Sequence, residues 1–316
     1  MKKILITGGC GYLGARLCKH LATEGYRITA FDGYDPSAHT QWVSLMDEVV
    51  VGDIRDESTI SDLADRNFDV VVHLISLDHH KSNSSPNFVS SINVMPTWNL
   101  LEHFTKNGLE KFIYFSTFHV YGDCEGTITE ETPAQPYHPY ASTHRAAEDI
   151  VRFYQHYKNI NTLTLRLSNA FGCPMDTEIN RWALVFNDLC RQAITSRKMI
   201  IKSSGKQYRN FISLHDVCAA IGHFLYAIPD QWGDGLYNLG GDNYLSIIEV
   251  AEIIAKVYKS KYGESIPVKI NDKDDEKKYN PVRFNINKLK KTGFSLSGNM
   301  EKEIEKTLSL CESFAA

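Results

Sequence analysis

The run Thr7-Gly8-Gly9-Cys10-Gly11-Tyr12-Leu13-Gly14 constrains this chain most. It follows the β-branched stretch Lys3–Thr7 and opens into an amphipathic stretch bearing Leu17, Leu21 and Ala22, so it reads as a tight turn from strand into helix. In that setting Gly8 turns the chain, Gly11 lets the backbone approach a bound pyrophosphate, and Gly14 lets helix pack on strand. The helix N-terminus then offers its amides and positive dipole to the anion.

Short β-branched runs alternate with helical stretches through the first half, which predicts βαβ units and a parallel sheet. The expected strands are Lys3–Thr7, Arg27–Phe31, Glu48–Val51, Val70–Leu74, Lys111–Ser116 and Thr162–Arg166. Val70-Val71-Val72-His73-Leu74 is apolar almost throughout, as a strand buried on both faces must be, and belongs in mid-sheet. After Arg166 the pattern loosens, through Phe171-Gly172-Cys173-Pro174 and a helix-like stretch at 181–194, into an expected substrate lobe. The mixed-sign run from Asp272 to Lys278 reads as a solvated loop.

Composition removes several alternatives. A net charge of −4 leaves no polycation footprint, so nucleic acid is not an expected partner. Apolar runs fall far short of the roughly 18 residues that insertion into a membrane needs. Met1-Lys2-Lys3 followed by Ile4-Leu5-Ile6 reads as a first strand and not as an export signal. Seven cysteines form an odd set without a Cys-x-x-Cys pair, which argues for buried thiols in a reducing cytoplasm and against a zinc site.

Asp32 closes the second strand 18 positions past Gly14, close to where an acid grips ribose hydroxyls. Its carboxylate would repel a 2′-phosphate, so the expected cofactor is NAD and not NADP. No Gly-x4-Gly-Lys-Ser/Thr loop occurs, which removes a phosphate-transferring reading.

The ordered motifs extend much further. They include Gly52-Asp53-Ile54-Arg55-Asp56, Val72-His73-Leu74, Asn93-Val94, Ser116-Thr117-Phe118-His119-Val120-Tyr121-Gly122 and Pro139-Tyr140-Ala141-Ser142. Downstream follow Leu165-Arg166-Leu167-Ser168-Asn169-Ala170-Phe171-Gly172, Arg209-Asn210-Phe211-Ile212 with Asp216-Val217, Tyr237-Asn238-Leu239-Gly240-Gly241, and Asn287-Lys288-Leu289 with Gly293-Phe294. In this order they make the sequence similar, over nearly its whole length, to the extended short-chain dehydrogenase/reductase family, whose members mostly modify nucleotide-linked sugars. The resemblance implies an α/β fold, a Rossmann-type doubly wound parallel sheet with a smaller C-terminal substrate-binding lobe. Residues 1–167 would form the NAD-binding domain, with 208–228 returning to it, and 168–207 with 229–316 the lobe.

By the same resemblance, Gly8, Gly11, Tyr12, Leu13, Gly14, Asp32, Asp53, Ile54, Leu74 and Asn93 would bind NAD together with Tyr140 and His144. Thr117 would hold the substrate oxygen and Tyr140 would act as acid/base. A phenol of pKa near 10 is a poor base at neutral pH, and the family lowers it with a lysine four residues on. Here that position is His144, which can hydrogen-bond the nicotinamide ribose but is largely neutral above about pH 6.5. Tyr154 and Lys158 share the Tyr-to-Lys spacing and read as a helix-face coincidence.

Phe118-His119 stands where the 4,6-dehydratases of the family place Asp-Glu, which argues against dehydration; no Cys beside Ser116-Thr117 argues against 3,5-epimerisation. His79 and His80, after the fourth strand, are either substrate-facing or a solvated loop pair. Asn169, Arg209 and the Lys277/Lys278 region match nucleotide-sugar contacts of the family, Arg209 through the forked geometry that suits a diphosphate. Arg283 is either a second phosphate ligand or the start of a strand. The implied activity is NAD-dependent oxidation or reduction at C4 of a nucleotide-activated sugar, as epimerase or dehydrogenase. Alternatives are a reductase of a 4-keto sugar and a non-catalytic NAD-binding sensor or scaffold. A homodimer through a four-helix bundle would bury Leu100, Leu101, Phe104, Ile150, Val151 and Phe153.

Overall fold

A computed structural model describes residues 2–36, 42–230, 232–271, 282–298 and 300–315. The chain divides into two units, Met1–Asp123 with Glu130–Leu167 and Cys218–Asn238, and Cys124–Thr129 with Ser168–Val217 and Leu239–Ala316.

The first unit is built on seven strands: β1 (Lys3–Thr7), β2 (Arg27–Asp32), β3 (Glu48–Val51), β4 (Val70–His73), β5 (Lys111–Thr117), β6 (Asn161–Leu167) and β7 (Leu236–Leu239). They lie in the order β7-β6-β5-β4-β1-β2-β3, with parallel pairing from β3 across to β6. Val70, Val71 and Val72 are fully buried, as their apolar run requires, in a strand flanked by β1 and β5. The strand order reverses between β1 and β4, so the crevice of a doubly wound sheet opens at the carboxyl ends there. Thr7, Asp32, His73 and Thr117 are the last residues of β1, β2, β4 and β5.

Helices α1 (Tyr12–Thr23), α2 (Glu57–Ala64), α3 (Pro86–Asn93), α4 (Met95–Lys106) and α5 (Pro139–Lys158) cover the sheet. Local signals start α2 and α5. Asp56 caps α2 by accepting from the Ser58 N–H, and Pro139 stands at the first position of α5 behind the His138 cap. The stripe expected to form a dimer is corrected here. Leu100, Leu101, Phe104, Ile150 and Val151 belong to the unit's own core with Phe112 and Tyr114, because α4 and α5 pack on each other; Phe153 alone of the six is exposed. Tyr154 is likewise structural, its hydroxyl donating to Glu102 at 2.6 Å.

The segment returning to the first unit is 218–238, not 208–228, because β7 adds to the sheet beside β6. Asn238 of β7 accepts from the Tyr121 hydroxyl at 2.6 Å, which makes a buried place for a polar residue inside that strand. The second unit also takes in 124–129, whose Thr127 and Ile128 pair with Arg283 and Phe284. Its core gathers Phe186, Leu189, Ile254, Ile304 and Leu308 from three helices, Val185–Ser196, Ile247–Tyr262 and Met300–Cys311. The helix expected over 181–194 starts at Val185, since the Asn187 amide and Trp182 indole donate to the Arg181 and Thr177 carbonyls and hold a preceding turn. The helix Ile247–Tyr262 carries a capping box, Ser246 with Glu249, and ends at Gly263 with φ 77°.

One buried ion pair stands out. Arg166 of β6 gives two hydrogen bonds to Glu148 of α5, at 2.9 and 2.7 Å, and Ser116 of β5 donates to the same carboxylate at 2.6 Å. Removing one partner of such a pair strands a buried charge and costs about 3–5 kcal/mol. Urea unfolding should therefore show Arg166→Met destabilised by that amount, and the Glu148→Met/Arg166→Met double substitution destabilised by less than Arg166→Met alone.

Candidate active site

The glycine turn is held to the sheet from both sides. Gly8 (φ 76°) and Gly9 donate their N–H groups to the Phe31 carbonyl at 2.7 and 3.3 Å, and Gly11 donates to Gly8 at 3.1 Å. A Cβ on Gly14 would stand 2.0 Å from the Gly8 carbonyl oxygen, so only glycine lets α1 start this close to the turn. Helix α1 has no side-chain cap and no acidic residue in its first turn, which leaves its leading amides to an anion. Tyr12 is buried and Leu13 partly so at that end.

Asp32 accepts from the Cys10 N–H at 3.1 Å and from the Tyr34 N–H at 3.2 Å. Burial raises its carboxyl above the ordinary value, against the opposing pull of those amides. Leu74 follows β4 and donates its N–H to the Thr7 carbonyl at 3.1 Å. Asp53 is exposed and ion-paired with Arg55, which holds its carboxyl below the ordinary range, while Ile54 is buried. Asn93 is fully engaged by protein: its amide accepts from the Leu77 N–H at 2.7 Å and donates to Thr143 at 3.0 Å. It fastens the loop after β4 to α3 and α5.

Thr117 is buried at the end of β5, its hydroxyl accepting from the His119 N–H at 3.3 Å. Tyr140 is half-buried in the first turn of α5, where its N–H donates to His138 Nδ1 at 3.1 Å. His144, one turn on, packs edge-on against the Tyr140 ring, 4.6 Å between centroids. Its Nδ1 shares a 2.7 Å hydrogen bond with the hydroxyl of Tyr114, a residue the sequence gives no reason to single out from the β5 core. Burial lowers the His144 pKa to about 3 and raises that of Tyr114 well above the ordinary phenol. The ring is thus neutral at physiological pH, and its Nε2 is buried with no hydrogen-bond partner among the described residues. His73 repeats the pattern: Nδ1 lies 2.6 Å from the Thr7 hydroxyl, Nε2 has no partner among the described residues, and burial lowers its pKa to about 3.

A capless helix N-terminus, a cradle that a Cβ would fill, an acid at the end of β2 and an orphaned imidazole nitrogen beside Tyr140 all suit a dinucleotide. Residues 4–240 match the family described as NAD dependent epimerase/dehydratase. The chain belongs to that family. Among its members, the mouse dTDP-D-glucose 4,6-dehydratase is 28% identical over 97% of this chain and 88% of its own length. A putative UDP-glucose 4-epimerase of Methanocaldococcus jannaschii is 25% identical over 97% of each. The fold is that of the Bacillus cereus UDP-glucuronic acid 4-epimerase, solved with UDP-glucuronic acid and NAD, at a TM-score of 0.79, 23% identity and 99% coverage of both chains. Like the family as described, this chain is an NAD-dependent enzyme with a parallel-sheet α/β fold.

The remaining expected residues fall in two places. His79 and His80 are exposed in the loop after β4, in the first unit with Tyr140. Asn169, Arg209 and Arg283 are in the second unit. The Asn169 side chain donates to the Asn210 carbonyl at 2.9 Å and so joins two short strands. Arg209 is exposed and makes no ion pair among the described residues. Arg283 is an exposed strand residue paired with Thr127. Lys277 and Lys278 lie outside the described residues. No group of His, Cys, Asp and Glu among the described residues could hold a metal ion, and no helix among them is long and apolar enough to cross a membrane.

Cofactor choice tests the Asp32 assignment. Isothermal titration should show NADP(H) binding at least tenfold more weakly than NAD(H), a difference of about 1.4 kcal/mol or more; equal affinity would remove Asp32 as the selector.

Proposed function

We propose that the protein oxidises or reduces C4 of a nucleotide-activated sugar, as an epimerase or dehydrogenase. The observation that carries this reading is the sharing of one unit by the glycine cradle, Asp32, Thr117 at the end of β5 and Tyr140 in the first turn of α5. Bound NAD(H) supplies or takes the hydride. Thr117 holds the sugar oxygen, and Tyr140 moves the proton between that oxygen and its own. Asp32 grips the adenosine ribose, Leu74 and Ile54 offer apolar surface to the cofactor, and His144 Nε2–H donates to the nicotinamide ribose. The names of the relatives, a dTDP-glucose dehydratase and a UDP-glucose epimerase, support a nucleotide sugar as the substrate class. Phe118-His119 after Thr117 speaks against elimination of water.

The neutral, buried His144 favours one variant of this reading, reduction of a 4-keto sugar. Without a fixed cation beside it, Tyr140 works best as an acid. Thermal shift with NAD and a panel of nucleotide sugars tests the substrate class, since a ligand at 100 times its Kd stabilises by about 2.7 kcal/mol. Tyr140→Phe should abolish turnover. His144→Lys should move the alkaline-rising limb of the oxidation rate down by about 1–3 pH units, the effect of a nearby cation on a phenol. An unchanged profile together with an active Tyr140→Phe enzyme would remove both assignments.

We further propose a cytoplasmic homodimer. The seven thiols are free. Trp98 of α4 and Phe153 and Tyr157 of α5 are exposed apolar residues on the two helices that such a dimer would pair. Light scattering at micromolar concentration should give twice the 35.8 kDa of one chain.

A further inference from the structure

Imidazoles crowd the acid/base candidate. His79 and His119 stand edge-on to the Tyr140 ring, at 6.2 and 5.9 Å between centroids. His79 also stacks face to face on His138, at 3.6 Å with the planes 15° apart, and lies 5.9 Å from both His80 and His119. It is the hub of the group. His79 and His80 are exposed, whereas His119, His138 and Tyr140 are half-buried, so the rings run from the phenol to solvent. The other charged groups of the loop after β4 are Asp78, whose carboxylate accepts from the His80 and Lys81 N–H groups, and Lys81. From α5 come His138, whose Nδ1 accepts the Tyr140 N–H and so leaves the ring proton on Nε2, and the neutral His144. From the end of β5 comes His119.

Proton affinity sets the direction of traffic. An ordinary phenolate binds a proton more than a thousandfold more tightly than an ordinary imidazole. Imidazolium therefore re-protonates phenolate readily, and exchanges with water at neutral pH.

We propose that His79, together with His119, is a proton relay that exchanges the Tyr140 proton with solvent, with His138 stacked on His79 as a positioning residue. The proposal rests on the reading of Tyr140 as acid/base. In reduction, the Tyr140 O–H bond breaks and the proton joins the carbonyl oxygen while the carbon takes hydride from NADH. An imidazolium N–H then gives its proton to the phenolate, and the ring regains one from water. In oxidation every transfer reverses, and one proton is released to solvent for each NAD reduced. Epimerisation returns the proton to the sugar oxygen and needs no such path, so the relay marks an enzyme with net proton turnover.

The test uses the full chain with NAD and either UDP-glucose or dTDP-glucose, in weak buffer, with NADH formation followed by absorbance. His79→Gln should slow oxidation by roughly tenfold or more, and added imidazole should restore it saturably while leaving Tyr140→Phe inactive. Below the limb that belongs to Tyr140, the oxidation rate should show a second rise with pH as His79 loses its proton. That second rise should lie below the ordinary imidazole value, because partial burial and the neighbouring His138 and His80 lower the His79 pKa, and it should vanish in the variant. In the substrate-free protein, proton NMR should show the His79 midpoint rising in His138→Gln as the stacked neighbour is lost. Turnover indifferent to His79→Gln, to the His79→Gln/His119→Gln double substitution and to added imidazole would overturn the relay alone. A wild-type protein that binds NAD and epimerises a sugar without net NADH formation would overturn the relay alone, and one that binds NAD but neither oxidises nor epimerises either sugar would overturn the functional reading and the relay with it.

Discussion

The buried pair of Glu148 with Arg166 decides how the rest of the site is held. Helix α5 carries Tyr140 and His144 on its first two turns and Glu148 on its third, while β5 ends with Ser116 and Thr117. Glu148 takes hydrogen bonds from Arg166 of β6 and Ser116 of β5 together, so one carboxylate sets the helix against two neighbouring strands. The far side of Arg166 is closed by the Tyr121 ring, 4.6 Å from the guanidinium carbon, and the Tyr121 hydroxyl reaches β7 through Asn238. The placement of Thr117 relative to Tyr140 is thereby held by a buried network of Glu148, Arg166, Ser116 and Tyr121.

Within that frame His144 bears on the electrostatics of the Tyr140 phenol. A lysine would bring permanent positive charge to the phenol, whereas His144 is buried against Tyr114 and has no charge to give. The same burial links the site to acid stability. The folded-state pKa values of His73 and His144 lie at about 3, below the ordinary 6.5, so the unfolded chain binds more protons than the folded one over that interval. Stability from these two rings is present above about pH 6.5 and is lost as the pH falls toward 3.

Much of the fold is legible in the residues, and the gaps have physical causes. Val70-Val71-Val72 and the glycine turn announce a central strand and a dinucleotide cradle, because period and backbone freedom are local properties. Strand β7 is not legible: four residues with a buried asparagine make a strand only because Tyr121 supplies the partner for Asn238. Leu100, Leu101 and Val151 look the same whether a helix stripe faces its own core or a second chain, and tertiary packing settles which. Tyr114 reads as one more core aromatic of β5. The ring of His79, His119, His138 and His144 spans 66 positions without a motif spacing, so only the folded chain assembles it around Tyr140.

One turn beyond Tyr140, His144 is an imidazole that burial keeps neutral. Nitrogen-15 NMR of the labelled protein, comparing wild type with His144→Gln to assign the ring, measures this directly. The predicted result is a neutral His144 at every pH at which the protein remains folded, from neutrality down toward about 3. A His144 that takes up its proton near pH 6.5 in the folded protein would contradict it and restore a cation to the site.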